Sequence, residues 1–135
     1  MGGRVESLAR WYSRAVGAMD ATTGVLLMLA PAWTVSLFGA ELPVGDDVSM
    51  RFVGAFVCGV GLVYLWAAVG GNTRGRECRL GTVWRVTAIV RAVVCAFVTW
   101  AVLEGRLGMA WSVVALSDGL LAALQMLFVR RVESS

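Results

Sequence analysis

The chain has 135 residues, of which 59% are hydrophobic and only 16% charged, with a mean hydropathy of +0.75. A soluble domain is usually about 45–50% apolar and about 25% charged. So short a chain could not hide this much apolar surface from water, which excludes a soluble fold and makes lipid the expected solvent.

The twelve basic residues, all arginine, exceed the nine acids and give a net charge of +3. They flank apolar segments, so they read as topology signals and not as nucleic-acid contacts. The absence of histidine removes His-ligated haem, His-ligated zinc and His-dependent catalysis. Cys58, Cys78 and Cys95 form no CxxC pair and read as small packing residues, with no disulfide or metal site expected.

Residues 4–14 carry Arg4, Arg10 and Arg14, with Val5, Leu8, Trp11 and Tyr12 at roughly helical spacing. They read as an interfacial lead-in to the first span, which is predicted over residues 12–30. Pro31 lacks a backbone donor and should end that helix. A short interfacial helix is predicted over residues 32–38, the other reading being one kinked helix out to Phe38. Gly39 to Ser49 is an acidic, turn-rich loop with Glu41, Pro43, Asp46 and Asp47, in which Asp47 or Ser49 can cap the next helix.

The second span is predicted over residues 50–69. Gly54, Cys58, Gly59 and Gly61 lie in it at close spacing and mark a face for helix packing. Residues 70–81 read as a loop holding Arg74, Arg76 and Arg79 against one acid, Glu77. The third span is predicted over residues 82–103 and the fourth over residues 107–128. The turn Glu104-Gly105-Arg106 between them forces a tight antiparallel hairpin. Arg51 and Glu104, at the outer ends of their helices, are a candidate rim ion pair.

The expected fold is therefore all-α: a single four-span transmembrane bundle. Arginines concentrate in the N-terminal segment, the middle loop and the C-terminus. The two intervening loops hold only Arg51 and Arg106 alongside four acids. Both termini should face the cytoplasm, in the inner membrane of a bacterium.

Charge inside the bilayer is the most informative feature, because each such group costs about 2.5–3.5 kcal/mol on insertion scales. Arg91 lies twelve residues beyond Arg79 and Asp118 twelve before Arg130, so both sit roughly 18 Å deep, while Asp20 lies roughly 15 Å beyond Arg10. Asp20 shares a stripe with Gly17, Thr23 and Gly24. Arg91 shares one with Thr87, Ala88 and Cys95, and Asp118 one with Trp111, Ala115, Ala122 and Gln125. These positions predict an intramembrane cluster of Asp20, Arg91 and Asp118, with Arg91 paired to Asp118. Its commonest use would be as glue that fixes helix register.

No phosphate loop, nucleophile elbow or HExxH motif is present. The run Leu29-Ala-Pro-Ala-Trp-Thr-Val-Ser-Leu-Phe-Gly39, the acidic loop, and Met50-Arg-Phe-Val-Gly-Ala-Phe56 with Gly59 and Gly61 resemble small four-helix bacterial membrane proteins of the broad DoxX-like kind. The shared features are a Pro-containing end to the first helix, an "LFG"-like turn and an "R-x-x-G" start to the second, here Arg51 to Gly54. The resemblance implies an accessory subunit of a membrane complex, in some members quinone-linked, and carries over no catalytic residue.

The expected function is a non-enzymatic accessory or assembly subunit, partnered by lipid and by other membrane subunits or further copies of itself. The alternative is a small proton-coupled transporter using Asp118 or Asp20 with Arg91. No cofactor is predicted, and a bound lipid or quinone stays open as a third reading.

Overall fold

The structure is a computed structural model that describes residues 3–42, 45–69 and 73–133. Five α-helices follow in order: α1 (Gly3–Leu29), α2 (Pro31–Ser36), α3 (Asp47–Ala68), α4 (Thr73–Leu103) and α5 (Ser112–Glu133). A 3₁₀ turn, Met109–Trp111, leads into α5. No strand occurs among the described residues.

The helix ends follow from local chemistry. Proline disfavours the helical region for the residue before it. Ala30 accordingly leaves it, at φ −140° and ψ 64°, so α1 stops at Leu29 and Pro31 becomes the first residue of α2. The Thr34 hydroxyl donates to the Ala30 carbonyl at 2.8 Å, giving that acceptor a second donor besides the Thr34 N–H. The "LFG" segment forms the turn Leu37–Gly39, with Gly39 at φ +73°, a conformation that glycine reaches without steric cost.

At the far end of α4 the Arg106 N–H bonds the Ala101 carbonyl at 2.9 Å and the Gly105 N–H bonds Val102 at 3.0 Å. With Gly105 at φ +69°, this is a Schellman motif that satisfies carbonyls left over at the helix end.

Several boundaries differ from those expected. The basic stretch before the third span is helical from Thr73 onward, with residues 70–72 outside the described region. Its arginines, Glu77 and Leu80 are good helix formers, and they outweigh Gly75 and Gly81. The lead-in at residues 4–14 is continuous with α1.

Asp46, and not Asp47 or Ser49, occupies the N-cap of α3, without a side-chain cap bond. Asp47 is then the first helical residue, where a negative charge favours the helix dipole. Pro43 lies outside the described residues. The turn after α4 and the 3₁₀ segment together delay α5 to Ser112, five residues later than predicted.

Three helices are long and apolar enough to cross a membrane: Asp47–Ala68, Gly75–Leu103 and Met109–Arg130. In their most apolar windows only 17, 28 and 22% of residues are buried. α1 has 27 residues, long enough by itself. Arg10, Arg14 and Asp20 interrupt its apolar run, and it is not among the three.

The chain divides into two compact units, Met1–Leu37 with Glu41–Val83, and Phe38–Ala40 with Trp84–Ser135. In the first, α1 packs antiparallel on α3. In the second, α5 packs against the later part of α4 through Trp84 and Phe128, whose rings lie 4.7 Å apart at 54°.

Candidate functional site: the buried charges and the arginine staples

In the second unit Ala115, Ala122, Gln125 and Val129 are buried along one stripe of α5, and Asp118 lies on the same stripe, partly exposed. The alternating spacing of three and four keeps one face toward a neighbouring helix. Leu80, Trp84, Thr87, Arg91, Val98 and Ala101 give α4 the same rhythm.

Arg91 donates through Nη1 to Asp118 Oδ1, with side-chain exposures of only 9% and 15%. The two charges neutralise each other where water is scarce. A charge-assisted bond there is stronger than a neutral one. One turn along, a Cβ added to Gly119 would come 3.0 Å from Cys95 Sγ, so a small residue beside Asp118 lets the helices close up. Gln125 is fully buried on the same stripe.

In the first unit the α1–α3 contact is built on glycine. A Cβ on Gly24 would meet Cys58 N at 2.4 Å and Gly54 O at 2.6 Å. One on Gly61 would meet Ala21 N at 2.3 Å and Gly17 O at 2.6 Å. Two pairs, Gly17 with Gly61 and Gly24 with Gly54, therefore bring the backbones together at a seven-residue interval. Asp20 lies between Gly17 and Gly24 on this stripe and is 8% exposed.

Of the packing residues expected on α3, Gly54, Cys58 and Gly61 lie at this contact. Gly59 meets nothing within 4 Å. Its position, two residues from Gly61, turns it to the opposite face.

Of the three expected intramembrane charges, Arg91 and Asp118 are bonded to each other within the second unit, and Asp20 is buried in the first. Arg51, expected beside Glu104, lies in the first unit. Its Nε is 3.3 Å from Asp47 Oδ2, and its Nη1 donates to the Met28 carbonyl. Glu104 is the residue after α4, where its N–H bonds Trp100 O at 3.0 Å.

Sequence reading missed what the arginines do at helix ends. Arg51 reaches the last turn of α1. Arg79 donates to the Val69 carbonyl, just past the end of α3, at 3.3 Å, and lies 5.2 Å from the Trp66 ring centre. Arg106 lies 5.4 Å from the ring centre of Trp100, in the last turn of α4. In each case a cation follows a helix C-terminus in sequence and turns back to it, where the dipole and leftover carbonyls favour positive charge. The flat guanidinium also stacks on tryptophan, which an ammonium does less well. The three share no common sequence position: Arg79 lies in the helix that follows α3, Arg106 in the turn after α4, and Arg51 in α3, one helix beyond the end of α1 that it reaches.

No family model, curated protein or solved structure matches this chain.

Among the described residues no group of three or more His, Cys, Asp or Glu is placed to hold a metal ion, and Cys58, Cys78 and Cys95 are free thiols. The arrangement keeps polar groups on helix–helix stripes and turns apolar side chains outward. Ser13, Asp20, Thr34, Thr87, Arg91 and Gln125 are buried, whereas Phe52, Phe56, Ile89, Phe97, Leu116 and Leu120 are exposed. A water-soluble protein has the reverse distribution.

Proposed function

We propose that this chain is a four-span integral membrane protein of the DoxX-like kind that serves as an accessory or assembly subunit of a larger membrane complex. The observation that carries the reading is the inside-out distribution of polarity, with charge paired on interior stripes and aliphatic or aromatic residues facing out.

The case for α1 as the fourth span rests on its partner. α1 lies along α3 in a glycine register that extends from Gly17–Gly61 to Gly24–Gly54, so the bilayer that admits α3 admits α1 beside it. Asp20 lowers the apolarity of α1 without lying on its lipid side, because it is buried on the α3-facing stripe. With both termini and residues 70–81 cytoplasmic, Arg51 and Arg106 fall on the outer side. Their contacts with helix ends explain why arginine is kept there against the usual bias.

The accessory role is supported by where the charges go. Asp118 is bonded to Arg91, and Arg51 and Arg79 hold helix ends, so these charges serve the fold. The outward apolar faces are the surfaces offered to lipid and to neighbouring subunits, and the resemblance points to redox or quinone-linked assemblies.

Gentle extraction from the native membrane, with the mass of the intact particle and its co-purifying chains determined, tests this. A large reproducible assembly is expected. A particle of this chain alone would overturn the accessory role and favour transport through Asp118 and Asp20.

A further inference from the structure

We infer that the end of the α1–α3 pair where α1 begins and α3 finishes is a binding site for the phosphodiester headgroup of an anionic glycerophospholipid. The inference rests on the membrane-spanning reading above.

The register of the pair places the residues. Seven residues before Gly17 is Arg10, and seven after Gly61 is Ala68, so Arg10 stands level with the last residue of α3. The packing persists to this level, for Ala9 and Ala68 are 1% and 2% exposed. Arg79 comes to the same place from α4, since it donates to the carbonyl of Val69. Arg14 stands one turn further along α1 from Arg10, and Arg76 one turn before Arg79 on α4. Four arginines thus gather near one helix end, with Glu77 between Arg76 and Arg79 on α4 and Glu6 one turn before Arg10 on α1.

Two tryptophans border them. Trp11 follows Arg10 and is 69% exposed, and Trp66 lies against Arg79 and is 59% exposed. Tryptophan at this depth favours the headgroup layer. A guanidinium carries five donors in a fixed fork that matches phosphate oxygens two at a time. Arg79 is held in place by the Val69 carbonyl and the Trp66 ring, so little rotamer freedom remains to be lost when a phosphate arrives. Basic clusters at the cytoplasmic end of a span attract anionic lipid by about a fivefold factor per arginine. Arg51, on the same pair of helices, stands at the opposite end, against Asp47 and the Met28 carbonyl.

The test uses the full chain in nanodiscs of mixed phosphatidylglycerol and phosphatidylcholine, with the lipids retained on the released protein weighed by native mass spectrometry. Phosphatidylglycerol should be enriched on the wild type. R10Q/R79Q should lose the enrichment by about 25-fold, two arginines at about fivefold each. R51Q, which removes a basic residue from the opposite end of the same α1–α3 pair, should keep most of it.

Equal retention of both lipids would overturn the inference, as would an R51Q loss as large as that of R10Q/R79Q. Should R10Q/R79Q fail to fold by circular dichroism, the wild type decides: its enrichment must fall as salt rises, and a flat response overturns the inference. A chain that never enters the membrane fraction sinks the membrane reading itself, and this site with it. A chain that enters membranes without preferring the anionic lipid sinks the site alone.

Discussion

Arg91 and Asp118 meet across α4 and α5, each mostly hidden from solvent, and each the other's counter-charge. Removing one partner of a buried pair leaves the other uncompensated, which costs about 3–5 kcal/mol. D118N should therefore lower stability by that amount, read from denaturant unfolding in micelles followed by far-UV circular dichroism. Replacing both together, as R91M/D118L, should recover most of the loss, because a well-packed apolar pair substitutes for a buried ion pair at little cost. If D118N unfolds like the wild type, the pair is not holding the helices. The pair was legible in the sequence because depth and face can be counted along a helix. The partners of Arg51 and Arg79 were not, because a bond to a backbone carbonyl leaves no complementary residue type to find.

The same limit appears among the glycines. Gly61 and Gly59 look alike in a sequence rich in small residues, yet they stand on opposite faces. A Cβ at Gly61 would sit 2.3 Å from the Ala21 nitrogen, and backbone cannot yield as a side-chain tip can. G61A should cost about 1–3 kcal/mol. G59A has open space and should be neutral, or gain up to about 1 kcal/mol from better helix propensity. The two variants unfolded side by side check the register directly, and equal effects would contradict it.

At the scale of elements, the hairpin between α4 and α5 depends on a left-handed residue. Gly105, at φ +69°, closes the Schellman motif, and alanine there would cost about 1–2 kcal/mol. G105A should lower the unfolding midpoint measurably, with retained helix content. The apolar runs gave the helices their place, but not their ends. α4 begins at Thr73 because a basic, turn-poor stretch continues a helix readily once the apolar part has formed, whereas glycines at 75 and 81 made it read as a loop. α5 starts late because the motif after α4 consumes residues that are apolar enough to pass for helix. The "R-x-x-G" motif takes on a physical meaning at this scale. Arg51 holds the end of α1, and Gly54, one turn later, admits the backbone of α1 at Gly24. R51Q should cost no more than about 1 kcal/mol, since the Arg51–Asp47 pair is half-exposed.

For the whole molecule, composition alone excluded a soluble fold, and the outward apolar faces agree with that exclusion. Hydropathy is a poorer guide to the number of spans, because it averages a helix over all its faces. α1 carries its charge on the stripe that packs on α3, and so falls below the other three helices while sharing their surroundings in the proposed arrangement. Function is the least legible part of the sequence, since an outer face that meets another subunit is built from the same apolar side chains as one that meets lipid.

In the proposed arrangement the chain spans a bilayer with the arginine-rich start of α4 inside. Cys78 tests it, since it is exposed and lies among Arg74, Arg76 and Arg79. In a C58A/C95A background it is the sole thiol, and a membrane-impermeant maleimide can be offered to intact cells and to inverted vesicles. The account predicts labelling in inverted vesicles and none in intact cells. Labelling from outside the cell, or recovery of the chain in the soluble fraction, would contradict it.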